Sequence, residues 1–246
     1  MAMSMDLNAD LGEGMDDALL LPYLTSANVA CGMHAGGPSV MDRTVALALE
    51  GGVRVGAHPG YADRENFGRL DVELPLEDVE NLVLYQIGAL DGFVHARGGR
   101  LAHVKPHGAL YNRAARDAAL ASAIARGVRR FRPDLVLVGL AGSQLLAAAR
   151  EEGLPAAGEA FADRRYLPDG ALMPRKQAGS VLTDPAEAAE QAARIARDGF
   201  VVASDGSRVN VAAQTLCLHG DTPGAERIAR AVRERLEREG IRIAAL

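Results

Sequence analysis

Short apolar runs alternate with stretches of helical periodicity along the whole chain. The runs fall at residues 5–9, 27–31, 53–57, 101–104, 135–140, 155–160 and 211–218. Between them, residues 39–50, 76–97, 117–131, 143–152, 184–198 and 222–239 carry helical spacing. The last of these sets Ile228, Val232 and Leu236 at i, i+4 and i+8, an apolar stripe ringed by charge. Glu77 and Asp78 suit the positive N-terminal end of the second helix, and Thr183-Asp184-Pro185 opens the fifth with Pro in the first turn. Residues 200–210, FVVASDGSRVN, read as a hairpin around Asp205-Gly206. Seven strands alternating with helices predict a parallel α/β protein, organised as one domain over residues 1–246. No GxGxxG follows the first strand and no GxxxxGK[ST] occurs, so neither common nucleotide-binding sheet is signalled. A βα barrel with fewer than eight strands fits better.

Side chains at i, i+2 and i+4 of a strand share a face. In MDLNADL that face carries Asp6, Asn8 and Asp10, with Leu7, Ala9 and Leu11 opposite. Ser26 and Asn28 repeat the arrangement in the second strand, and His103, Lys105 and His107 in the fourth. Burying such groups without partners costs ~1–3 kcal/mol each, so they must meet one another, water or a ligand. In a βα barrel the chemistry gathers at the C-terminal strand ends. His34, His58, His103, His107 and His219 are expected there, whereas His95 falls in a helical pattern and reads as structural.

Composition narrows the field. A net charge of −5 argues against nucleic acid as the main partner. No apolar run nears the ~18 residues that span a bilayer, and MAMSMDLNAD lacks the features of a signal peptide. Cys31 and Cys217 stand in no CxxC or metal-spaced pair, which fits a reduced, cytoplasmic setting. Only Lys105 and Lys176 are lysine among 27 basic residues, so a lysine inside a dense polar cluster suggests a use for its compact ammonium.

Glycine-bearing turns follow three of the strands, in LGEG, CGMHAGG and GAHPGY, where backbone approaches closely or exposes N–H groups. Asp10 and Glu13 can serve as an acid–base pair, although capping the following turn is the simpler reading of either alone. Arginine concentrates in DRENFGRL and in FADRRYLPDGALMPRK, the latter long enough to act as a lid. Arg69, Arg165 and Arg175 suit a carboxylate or phosphate, while Arg64 and Arg164 more simply pair with Asp63, Glu65, Asp163 and Asp169.

The ordered segments DLNADLGEG, SANVACGMHAG, GAHPGY with FGR, HVKPHGALYN, EAFADRRY with MPR, and TLCLHGDTPGA resemble the LamB/YcsF family from Asp6 to Ala225. The resemblance implies a distorted seven-stranded βα (TIM-like) barrel, similar to the glycoside hydrolase/deacetylase superfamily. It also implies ATP-dependent hydrolytic opening of 5-oxo-L-proline (pyroglutamate) to L-glutamate. Separate 5-oxoprolinase subunits B and C would activate the lactam by phosphorylation, the complex hydrolysing ATP. On that basis Asp10, Glu13, His58, Lys105 and His107 are expected to be catalytic. Asn8, Asn28, His34, Arg69, Arg165, Arg175 and His219 are expected to bind substrate, and no metal or tightly bound cofactor is expected. The general base stays open among His58, His107 and Asp10, as does homo-oligomerisation. Two alternatives stand beside this reading. One is a deacetylase-like hydrolase holding Zn²⁺ on Asp10, His34 and His58; His103 and His107 are four apart, but Pro106 opposes a helix there. The other is a non-catalytic accessory protein that binds a lactam or sugar.

Overall fold

The first apolar run needs two faces to bury, and it finds both. A computed structural model describes residues 3–246. In chain order the elements are β1 (Ser4–Leu11), β2 (Ser26–Ala30), α1 (Pro38–Glu50), β3 (Arg54–His58), α2 (Leu76–Ala96), β4 (His103–Val104), α3 (Gly108–Ala114), α4 (Ala118–Phe131), β5 (Val136–Leu140) and α5 (Gln144–Glu151). They continue with β6 (Ala156–Phe161), α6 (Pro185–Asp198), β7 (Phe200–Val202), β8 (Arg208–Asn210), β9 (Thr215–Leu218), α7 (Ala225–Arg238) and β10 (Arg242–Ile243). Parallel pairing runs β1-β2-β3-β4-β5-β6-β9, and β9 pairs back onto β1. Seven strands therefore close a barrel, as expected. β10 adds to the start of β1, and β7 with β8 forms the predicted hairpin outside the barrel sheet.

Leu7, Ala9, Leu11, Val29, Val55 and Leu216 join one apolar cluster with helix residues such as Val45, Ile87, Ile124 and Val232. The alternate positions form a second, polar layer. Asp6, Asn8, Ser26, Asn28, His103, Lys105, Glu159 and Thr215 are all buried. Ordinary βα barrels fill this space with branched apolar side chains. Here each polar group is matched by another. Asp6 accepts hydrogen bonds from Thr25, Ser26 and Thr215, and Asn8 donates to Glu159 and Thr215. Tyr111 donates to Glu159 at 2.8 Å.

Three local differences have clear causes. The fourth run forms only a two-residue strand, because Pro106 has no N–H to donate. Lys105 N still donates to Ala57 O and His107 N to Pro59 O, so the extended register against β3 persists. Residues 108–114, hidden in sequence by the turn signal His107-Gly108, form α3 and bury Ala109, Leu110 and Tyr111. Gly108 lies at φ 55°, and a Cβ there would sit 2.5 Å from Gly68 O, so no larger residue fits the turn. Finally, the run at 211–218 yields only a four-residue strand, its earlier part leaving the sheet with Gln214 bonded to Gly158.

Candidate active site

Lys105 is the hub of the inner polar layer. Its Nζ lies 2.9 Å from Asp10 Oδ1, 2.9 Å from Glu159 Oε1 and 3.1 Å from Cys217 Sγ. Burial opposes its charge, but Asp10 and Glu159 outweigh burial and hold the ammonium well above its ordinary range. The same pairing, with His58, keeps Asp10 ionised far below the usual carboxylate range despite burial. Asn28 Nδ2 donates to Asp10 and to Asn8, while His103 donates from Nε2 to Asn28 Oδ1 at 2.7 Å. His103 is thus not at the barrel mouth, as its place in the sequence suggested. It opens β4 one layer deeper, where burial and the Lys105 charge hold it neutral down to about 3.

Above this layer the other imidazoles gather around Glu13. His34 Nε2 donates to Glu13 Oε1 at 2.9 Å; His107 Nδ1 lies 3.2 Å and His58 Nε2 3.7 Å from the same oxygen. His58 Nε2 is also 3.3 Å from Asp10 Oδ2. His34 stacks on His107 with ring centres 3.8 Å apart. Burial pushes His34 down to about 4, so it stays neutral. For His58, burial is outweighed by Asp10 and Glu13, which raise it. Burial would raise Glu13, yet His107 and His34 beside it hold it far below its ordinary value. The turn after β1 is capped neither by Asp10 nor by Glu13. Asp17 accepts from Gly12 N and Asp16 from Ala18 N, which frees Glu13 to point into the histidines. Phe67, at φ 58°, covers the cluster. Its ring packs on His34 and His107 while its carbonyl accepts from His107 Nε2. A bulky non-glycine residue in this conformation is uncommon, and the packing around it must offset its backbone cost.

The rim brings together a second set. His219 Nδ1 donates to Asp163 at 2.8 Å, and its backbone N–H donates to the same carboxylate. Burial would raise Asp163, but the His219 charge and hydrogen bonds hold it below its ordinary value. The His219 ring stacks on Phe161 and is 13% exposed, so its other nitrogen faces solvent at the mouth. Arg69 and Arg175 converge on Asp221, Arg69 at 3.1 Å. A cavity of about 220 Å³ opens beside Asp10, lined by Met15, Gly220, Thr222 and Glu226 among others.

Of the residues expected from sequence, the structure brings together Asn8, Asp10, Glu13, Asn28, His34, His58, Lys105 and His107, with His219, Arg69 and Arg175 on the rim. Arg165 lies apart from them. It pairs with Glu187 in an outer groove beside Asp184 and Arg194, because the extended bridge Arg164↔Val181 alternates sides and turns Arg164 inward instead. Neither Arg64 nor Arg164 makes the expected surface ion pair. Arg64 donates to Gly32 O and Gly36 O, and buried Arg164 to Met173 O and Ser180 O. With Tyr166 also buried and accepting from Phe161 N, the loop after β6 is pinned at its base.

Sequence reasoning missed Glu159, Asp163, Tyr111 and Asp221. The signal for Glu159 was available, as a lone carboxylate inside the apolar strand AAGEAF. Asp163 carried none, because only folding sets it against His219, 56 residues away. The converging groups offer a carboxylate-bound lysine, an aspartate-oriented histidine and a carboxylate among imidazoles. Such a set can move protons and stabilise an anion in water-poor surroundings.

Comparison with known proteins places the chain in a family and agrees with the fold. A family model described as LamB/YcsF matches residues 5–246. The A subunit of 5-oxoprolinase from Methylococcus capsulatus is 54% identical, covering 100% of this chain and 97% of that protein. The crystal structure of the lactam utilization protein from Thermus thermophilus superposes with a TM-score of 0.93 at 48% identity, covering 99% of this chain and 100% of that one. A T48 deacetylase solved with substrate shares the fold, with a TM-score of 0.51 at 15% identity over 99% of this chain and 88% of its own.

Proposed function

The chain belongs to the LamB/YcsF family, and on that premise we propose that it is the A subunit of a 5-oxoprolinase, opening the lactam of 5-oxoproline by hydrolysis to glutamate. The observation that carries this reading is full-length identity of 54% to a protein of that name. Asp10, paired with the buried Lys105, lines an open cavity, and this gives the reading a chemistry.

A lactam carbonyl is a weak electrophile. Partner subunits B and C, using ATP, would phosphorylate its oxygen, and this chain would then complete the opening. Water adds at the carbonyl carbon and the carbon–nitrogen bond breaks. The ring nitrogen takes a proton to become the α-amine, and hydrolysis of the acyl phosphate releases phosphate. His219 is suited to take the proton from water, because Asp163 fixes its Nδ1–H and leaves the other nitrogen free. Asp10, on the cavity wall, is suited to orient that water. Lys105 offsets charge developing on oxygen or phosphate. Arg69 and Arg175 hold the substrate carboxylate by exchanging Asp221 for it. Asn8 and Asn28 set the carboxylates around Lys105. The dependence on ATP puts the proposed reaction in the cytoplasm.

Glutamate release from 5-oxoproline and ATP, with and without candidate B and C subunits, tests the proposal. Turnover only in the complete mixture supports it. Absence of turnover with verified partners overturns it, and binding of 5-oxoproline without turnover would favour a non-catalytic accessory role.

A further inference from the structure

His58 Nε2 and His107 Nδ1 face each other at 2.9 Å. Each ring's opposite nitrogen is committed: His58 Nδ1 lies 2.7 Å from Lys105 O, and His107 Nε2 lies 2.9 Å from Phe67 O. A backbone carbonyl only accepts, so both outer nitrogens carry hydrogen. As a neutral pair, the rings would turn the lone pairs of their inner nitrogens on one another in a buried site, so a cation belongs between them, either a proton or a metal ion in its place. Glu13 Oε1 completes a triangle with them, at 3.2 Å from His107 and 3.7 Å from His58. With metal–ligand bonds of ~2.0–2.1 Å, ligand atoms of a tetrahedral Zn²⁺ site stand about 3.3–3.4 Å apart, and the three edges here bracket that value. The outer hydrogen bonds to carbonyls are the kind that orient metal-bound imidazoles. His34, donating to Glu13 at 2.9 Å, orients the carboxylate in the same way. Charge agrees, since Asp10 and Glu159 already share the one ammonium of Lys105 and Glu13 faces only imidazoles.

We propose that Glu13, His58 and His107 form a binding site for one divalent transition-metal ion of the Zn²⁺ class, with His34 as a positioning residue and one coordination position open. Asp10, tied to Lys105 and Asn28, is not among the ligands, which separates this site from one built on Asp10, His34 and His58. Such an ion supplies Lewis acidity when bound. The inference stands on these distances and does not require the lactam-opening reading.

The test uses the purified full chain, stripped with a chelator, dialysed against Zn²⁺ alone and analysed for metal. Binding is then measured by calorimetry, with Co²⁺ absorption reporting coordination. The expected result is about one ion per chain and a four-coordinate Co²⁺ spectrum. Affinity should fall roughly 100-fold or more in H58Q and H107Q, about 10- to 100-fold in H34A, and not at all in H95A. Folded wild-type protein that takes up no stoichiometric Zn²⁺, or binding undiminished in folded H58Q or H107Q, overturns the proposal. If a variant fails to fold, the wild-type stoichiometry and Co²⁺ spectrum alone decide. Glutamate release, assayed separately, bears only on the lactam reading.

Discussion

Lys105 and Glu159 form an ion pair in the barrel interior, Nζ to Oε1 2.9 Å, with both side chains almost wholly shielded from water. Removing one member of such a pair strands the other's charge, typically at a cost of about 3–5 kcal/mol. Lys105→Ala should therefore lower the unfolding midpoint in denaturant and reduce turnover of the complete complex by about 100-fold or more. Turnover within a few-fold of normal would remove Lys105 from the chemistry. The K105A/E159Q double variant should recover part of that stability, because Glu159 is no longer a stranded charge and Asp10 keeps His58, but not activity.

His219 is bound less deeply, so its loss separates chemistry from folding. His219→Ala and Asp163→Asn should lower kcat by about 10²–10⁴-fold, and H219A, which leaves buried Asp163 its bond to the backbone N–H of position 219, should cost less stability than K105A. A pH–rate profile distinguishes the roles. If His219 is the base, the pH–rate profiles of wild type and H219A should differ in shape. A profile that merely drops without changing shape assigns it to substrate binding.

On the rim, Arg69 and Arg175 share Asp221 in partly exposed contacts, which contribute only about 0–1 kcal/mol to stability. Arg175→Ala and Arg69→Ala should thus fold normally and raise KM for 5-oxoproline more than they change kcat. Arg165→Ala, in the outer groove, should change neither. Equal effects from all three would contradict a carboxylate role for the first two.

His103 makes stability depend on pH. Its folded value is pushed down to about 3 from the ordinary 6.5, so between these values the unfolded chain binds a proton that the folded chain refuses. Stability attributable to His103 is complete above pH 6.5 and is lost progressively as pH falls toward 3, at about 1.4 kcal/mol per pH unit per proton. His103→Gln can still donate to Asn28 but does not titrate. Its unfolding free energy should fall less steeply with acid, and identical slopes in the two proteins would refute the assignment.

The space for that ring comes from Gly56 opposite. A Cβ there would lie 2.1 Å from His103 Nε2, in a register where Gly56 pairs with His103 across β3 and β4. Gly56→Ala should displace the ring and break its bond to Asn28. A loss of at least ~2 kcal/mol is expected from the strain and the unpaired buried groups. Calorimetric melting checks it, and an unchanged midpoint would show that the barrel can shift to admit a methyl group.

Local pattern alone carried most of the architecture. Period-2 alternation in MDLNADL put Asp6, Asn8 and Asp10 on one face, and each barrel strand grew from an apolar run within a few residues of its expected place. The polar inner layer was legible for the same reason, since alternation is a property of the strand itself. α3 and the true depth of His103 were not, because Pro106 and Gly108 resemble a plain turn until Gly68 and β3 are packed against them. What only the tertiary structure decided was pairing between distant segments. Glu159 meets Lys105, Asp163 meets His219, Arg164 turns inward while Arg165 turns out, and Glu13 reaches three histidines rather than capping its own turn. Those choices depend on barrel closure and on strand register, which set side chains from separate strands within hydrogen-bonding reach of one another and which no single segment encodes.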